Sequence, residues 1–128
     1  MGCQNITESK TRTVWARADK TPIVVPFHTV STDRIAAVRA SFFQESQTGT
    51  VEVRPVVQYS NDGVVWGAFT ALSTGGKTTP DDWEYGPSFD TLDTAYRYAR
   101  FGVFSNRTTT GTDVYYTNVT LTLDLLEA

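Results

Sequence analysis

Apolar residues recur at every second position through most of this chain, and that spacing predicts strands rather than helices. The clearest run closes the sequence. Within residues 113–127, Val119, Leu121, Leu123 and Leu125 alternate with Asn118, Thr120, Thr122 and Asp124, which predicts a strand with one buried and one wet face. Residues 11–18 put Trp15 and Arg17 on one face and Val14, Ala16 and Ala18 on the other. Residues 23–30 are rich in β-branched side chains. Pro22 and Pro26 lack the amide proton a central strand donates, so this segment belongs at an edge or carries a bulge. Residues 33–45 have some helical appeal through Ile35-Ala36-Ala37-Val38-Arg39-Ala40. The alternation of Ala36, Val38, Ala40 and Phe42 with Ile35, Ala37, Arg39 and Ser41, followed by Phe43, favours a strand.

A long strand is expected over residues 50–60, with Val51, Val53, Val57 and Tyr59 on one face and Glu52, Arg54, Val56, Gln58 and Ser60 on the other. Pro55 again implies an edge or a bulge. Asn61-Asp62-Gly63 predicts a tight turn, because Asp and Gly tolerate positive φ, with a return strand over 64–72. Residues 73–94 show no period and read as a long loop, or as a loop hiding a short irregular strand around residues 83–85. Residues 95–106 return to strand, with Tyr96, Tyr98, Arg100 and Phe104 opposite Arg97, Ala99, Phe101 and Val103. Residues 1–10 are polar and read as a flexible arm. The whole predicts an all-β fold: a single antiparallel β-sandwich, jelly-roll-like, over residues 11–128.

Composition agrees with one domain. The chain has 128 residues, 40% of them hydrophobic and 12% aromatic, enough for one core and biased toward sheet. A net charge of -3 lacks the basic excess that nucleic-acid binding needs, although Arg97, Arg100 and Arg107 lie close in sequence. Cys3 is the only cysteine, so no intrachain disulfide and no cysteine-based zinc site is expected. No run is long and apolar enough for a leader or a membrane span. The expectation is a protein made and kept in a cytosol, with no membrane partner.

Candidate chemistry is sparse. His28 is the only histidine and no nucleophile motif frames it; Gly75-Gly76-Lys77-Thr78 lacks the preceding glycine of a phosphate loop. No enzyme activity and no cofactor is expected. Among the carboxylates of the 73–94 segment, Asp81, Asp82 and Glu84 are a candidate Ca²⁺ set, because hard oxygen ligands on a loop suit that ion. Their spacing does not match an EF-hand, and a solvated acidic loop is the simpler reading. Trp83 and Tyr85 are candidate contact residues, since exposed aromatics are enriched at interfaces. Arg97 or Arg100 would supply hydrogen bonds to a sugar stacked there. Trp66 belongs in the core or at its rim.

Two segments resemble a known family. Val57-Gln58-Tyr59-Ser60-Asn61-Asp62-Gly63-Val64-Val65-Trp66 resembles the Y-S-x-D-G-x-x-W hairpin of discoidin-type (coagulation factor 5/8 C-type) galactose-binding-like domains. Ala95-Tyr96-Arg97-Tyr98-Ala99-Arg100-Phe101 is similar to their later A-R-Y-x-R strand. The resemblance implies a jelly-roll sandwich. The family's terminal cysteine pair is absent here, and the first third does not match. Similar hairpins occur in small β-sandwich proteins of tailed-phage particles, which the chain resembles in style. The function expected is therefore that of a virion component of a tailed phage, such as a capsid decoration, head–tail or tail accessory protein. It would be assembled in the host cytoplasm as a homo-oligomer with other virion proteins. The alternative is a carbohydrate-binding module using the loop aromatics.

Overall fold

The computed structural model describes residues 6–18, 23–45, 51–76, 81–107 and 115–128. In chain order its strands are β1 (Ile6–Ala18), β2 (Ile23–Ser31), β3 (Ile35–Gln44), β4 (Val51–Ser60), β5 (Thr70–Ala71), β6 (Trp83–Glu84), β7 (Asp90–Thr91), β8 (Tyr98–Arg107) and β9 (Tyr115–Glu127). They form two antiparallel sheets. The first runs β1-β9-β3-β6, with β7 also on β3; the second runs β2-β8-β4-β5. The first four strands alternate between the sheets. The last two then insert between them, β8 between β2 and β4 and β9 between β1 and β3. This interleaving is the wrapping of a jelly roll. Among the described residues no helix is long and apolar enough to cross a membrane.

The alternation read in the sequence becomes the core. Val38, Ala40 and Phe42 of β3 and Val119, Leu121, Leu123 and Leu125 of β9 face Val51, Val53 and Val57 of β4 and Ala99, Phe101 and Val103 of β8. Each buried Leu, Val or Phe contributes about 1.5–3 kcal/mol relative to exposure. Gln44 is also fully buried. Its Nε2 donates to the Val51 carbonyl at 3.0 Å, tying the end of β3 in one sheet to the start of β4 in the other.

Pro26 and Pro55 sit where their missing amide protons cost little, and Pro22 lies outside the described residues. β2 is an edge strand, and its register against β8 shifts between Pro26 and His28. Pro55 pairs with Val103 without a shift. Its carbonyl accepts from Leu72 N at 3.1 Å, so its backbone polar side faces the short β5 rather than β8. Within one strand residue, N and C=O point the same way, and the proline nitrogen therefore faces the sheet's nearly open edge.

Several expectations change. β1 begins at Ile6 and pairs with β9 from there, so residues 6–10 of the expected arm are strand; residues 1–5 lie outside the described residues. β8 begins at Tyr98, three residues after the expected start. The return strand over 64–72 shrinks to Thr70–Ala71, paired with Val56 and Val57. The cause is local. Gly63 takes φ +74°, as the turn requires, but the Asp62 carboxylate accepts from Val64 N at 2.8 Å and Val65 N at 2.9 Å. Those amides bond to the loop's own side chain and are lost to a ladder. The chain then runs back beside β4, on the side where β5 pairs, held by Gly67 N on the Tyr59 carbonyl at 3.0 Å.

The aperiodic 73–94 segment hides two strands. β6 pairs with Phe42 and Phe43, and β7 with Ala37 and Val38. They are one interrupted strand: five residues, 85–89, lie opposite three, 39–41, so the middle bulges outward. The break leaves the Ala40 carbonyl without a strand partner. The buried Thr74 hydroxyl donates to it at 2.7 Å.

Candidate functional site

The first sheet turns a polar face outward. On β1 and β9, Thr11 meets Thr122 at 3.0 Å and Thr13 meets Thr120 at 2.8 Å, hydroxyl to hydroxyl, and Ser9 Oγ donates to Asp124 Oδ1 at 2.7 Å. Such cross-strand pairs each stabilise a sheet by roughly 0.2–1 kcal/mol. β3 adds Arg39, Ser41 and Phe43 to the same face. Arg39 donates from Nη2 to Asp124 Oδ2 at 3.0 Å, and its guanidinium lies 4.5 Å from the centre of the Phe89 ring. Two elements from distant parts of the chain thus fix one Arg–Asp pair.

The bulged segment forms the wall beside it. Trp83 packs against Phe43 with ring centres 5.7 Å apart and stacks on Tyr85 at 5.9 Å with planes 19° apart. Trp83 is half-buried; Tyr85 is 68% exposed. Gly86 then lies flush on β3, its amide donating to Ser41 Oγ at 3.3 Å. A Cβ at that position would stand 2.6 Å from the Ala40 carbonyl oxygen and 2.7 Å from Cγ of Arg39. Only glycine lets the segment lie this close. The result is an open groove of about 420 Å³, walled by Trp83 and Tyr85 and floored by Arg39, Ser41, Thr122 and Asp124.

Of the residues the sequence singles out, Trp83 and Tyr85 come together. Arg97 and Arg100 do not join them, because β8, which holds Arg100 and directly follows Arg97, belongs to the second sheet. Arg100 lies 4.4 Å over the Trp66 ring and donates to Gln58 Oε1 at 2.9 Å. Trp66 is thus half-buried on the outside of the second sheet, at the rim and not in the core. Arg97 is exposed, 5.9 Å from the Tyr98 ring. The candidate Ca²⁺ set also fails to assemble. Asp81 has φ 58° and its amide donates to the Gln44 carbonyl, and Asp82 Oδ1 accepts from Trp83 N at 2.9 Å. Asp90 is taken by the amide and hydroxyl of Ser73, both at 3.0 Å. Among the described residues no three His, Cys, Asp or Glu side chains converge to hold a metal. The residues missed by sequence reading are Arg39, Ser41, Gly86, Thr122 and Asp124. The signal available for four of them, all but Gly86, was their place on the wet faces of β3 and β9.

Two titrating groups stand apart from the groove. Burial raises the Tyr59 hydroxyl above its ordinary value, and the nearby Asp93 and Asp90 charges add to this, while the Asp93 amide bond at 3.0 Å acts the other way. Tyr59 also stacks on Tyr96 with ring centres 5.3 Å apart. Asp62 is held below the ordinary carboxylate range by the Val64 and Val65 amides and by Ser60. The same loop leaves Val64 78% and Val65 72% exposed.

No protein-family model and no curated protein sequence matches the chain, so the resemblance to discoidin-type domains rests on its quoted segments alone. Solved structures share the fold. The VP2 subviral particle of infectious bursal disease virus matches 97% of this chain with a TM-score of 0.62 at 7% identity. Structures of that virus's Gx and Gt strains match 94% with TM-scores of 0.55 and 0.54 at 8% and 9% identity. The chain covers 34%, 34% and 37% of those three chains, about a third of the length of the solved structures it matches. At these identities the likeness is one of fold: an all-β jelly-roll sandwich.

Proposed function

We propose that this chain is a non-enzymatic structural protein of a virus particle, working through contacts with copies of itself and with other particle proteins. The observation that carries the reading is the jelly-roll strand order, matched over 97% of the chain in a protein described as a subviral particle. Two surface features support it. β1 and β2 each end a sheet, and long edges are commonly covered by a neighbour in symmetric assemblies. Val64 and Val65 are held outward by the Asp62 carboxylate, in the manner of contact residues that a neighbour buries. The finer reading is a tailed-phage component, a capsid decoration, head–tail or tail accessory protein, assembled in host cytoplasm. It rests on the style of the hairpin and on the lone Cys3.

The test is solution mass by size exclusion with light scattering, for the native chain and for the double variant Val64→Asp, Val65→Asp. A closed oligomer that the variant breaks down, or binding to a particle shell that the variant loses, is the expected result. A native chain that stays monomeric at high concentration and ignores particle shells would overturn the reading.

A further inference from the structure

We propose that the groove between the Trp83–Gly86 wall and the outer face of β9 is a saccharide-binding site that takes a neutral pyranose ring. The site does not depend on the particle reading: a particle subunit and a free binding module could each carry it. Three observations converge on this ligand class.

The first is the wall. Tyr85 exposes most of its ring and is backed by Trp83, which is backed in turn by Phe43. A stacked, supported aromatic surface loses little freedom when a ligand covers it. The face of an aromatic ring is electron-rich, and the axial C–H groups of a pyranose present a weakly positive apolar face to it.

The second is the floor. Sugar hydroxyls need donors and acceptors side by side at fixed spacing. The Arg39 guanidinium supplies donors in a rigid fork and the Asp124 carboxylate supplies acceptors. The two are fixed before any ligand arrives. Arg39 is held by Asp124 and by the Phe89 ring, and Asp124 by Arg39 and by Ser9. Their side chains remain 37% and 20% exposed, so both still reach the solvent side. Thr122 adds a hydroxyl that can turn to donate or accept.

The third is charge and size. One guanidinium faces one carboxylate, and the groove is close to neutral where a ligand would sit. A phosphate or an acidic sugar would meet Asp124, and a metal ion would find one carboxylate and one cation. An uncharged polyol avoids both penalties. The volume of about 420 Å³ lies near the lower end of small-molecule sites and suits a short saccharide. The sugar contact expected of Trp83 and Tyr85 is thus kept, with Arg39 and Asp124 in place of Arg97 and Arg100.

The experiment is an amide and indole NMR titration of the full chain with methyl glycosides of neutral hexoses and N-acetylhexosamines, up to about 50 mM, alongside a broad glycan array. The expected result is a saturable shift of the Trp83 indole N–H and of the Arg39 and Thr122 amides for at least one sugar. Tyr85→Ala and Asp124→Asn should each weaken that binding about tenfold while the rest of the spectrum keeps its dispersion. Trp66→Phe, on the opposite sheet, should leave it unchanged. A Trp83 indole that moves with none of the sugars overturns the proposal. So does binding that survives both groove variants, or shifts confined to the Trp66 face.

Discussion

Replacing Gly86 with alanine isolates what holds the aromatic wall against the sheet. The glycine has no positive φ, so backbone conformation is not at stake and the effect is one of contact alone. An added Cβ would come to 2.6 Å from the Ala40 carbonyl oxygen, where about 3.4 Å begins ordinary contact. The Arg39 Cγ at 2.7 Å can swing aside, but the Ala40 carbonyl belongs to a strand paired on its far side with Leu123 and cannot. The segment must therefore lift. The same Cβ would sit 3.3 Å from Thr74 Oγ1, whose bond to Ala40 fills the gap between β6 and β7. Overpacking of this kind costs about 1–3 kcal/mol, and weakening a buried hydrogen bond adds about 1 kcal/mol. The expected total is about 2–4 kcal/mol in urea melts. Hydrogen exchange should quicken at Trp83 and Glu84 before it does in β9, because β6 is tied to the sheet by only two residue pairs. A variant as stable as the native chain, with an unmoved Trp83 indole resonance, would refute the reasoning.

Other perturbations address the core and the two titrating groups. Leu123→Ala empties a fully buried position in the strand between β1 and β3 and should cost about 2–5 kcal/mol in chemical denaturation. Tyr59 has a raised folded-state pKa, so the stability it contributes is complete below its ordinary value and is lost as pH rises through the folded one. The native chain should lose more urea stability between about pH 9 and about pH 12 than Tyr59→Phe does. Asp62 shifts the other way: its contribution is present above the ordinary carboxylate value and is lost as pH falls through the lowered one. The Val64 and Val65 amide resonances should move together with a midpoint below that of an ordinary exposed aspartate.

Much of the fold was legible because the two faces of a strand solve opposite problems. β9 could be read residue by residue, since Val119, Leu121, Leu123 and Leu125 must be dry and Thr120, Thr122 and Asp124 need not be. Pro26 announced an edge strand, whereas Pro55 marked neither an edge strand nor a bulge but the side of β4 where only the two-residue β5 pairs. The return strand after Gly63 was misjudged for a related reason. Asp-Gly signals a turn, but whether the next amides join a ladder depends on where the Asp62 carboxylate points, and a side chain that bonds its own loop leaves no periodic trace.

The sequence by itself determined the class: two-residue alternation, a single core and no helical stripe leave a β-sandwich as the way to bury these side chains. It also singled out Trp83 and Tyr85 as contact candidates in a segment without an apolar period, while their burial, half for Trp83 and slight for Tyr85, was decided by the packing on β3. The tertiary structure alone decided the floor of the groove. Arg39 and Asp124 are 85 positions apart and become neighbours only because β9 inserts between β1 and β3. Polar residues on a wet face look alike in sequence. Strand order decides which of them meet, and that order is set by the packing of the whole core.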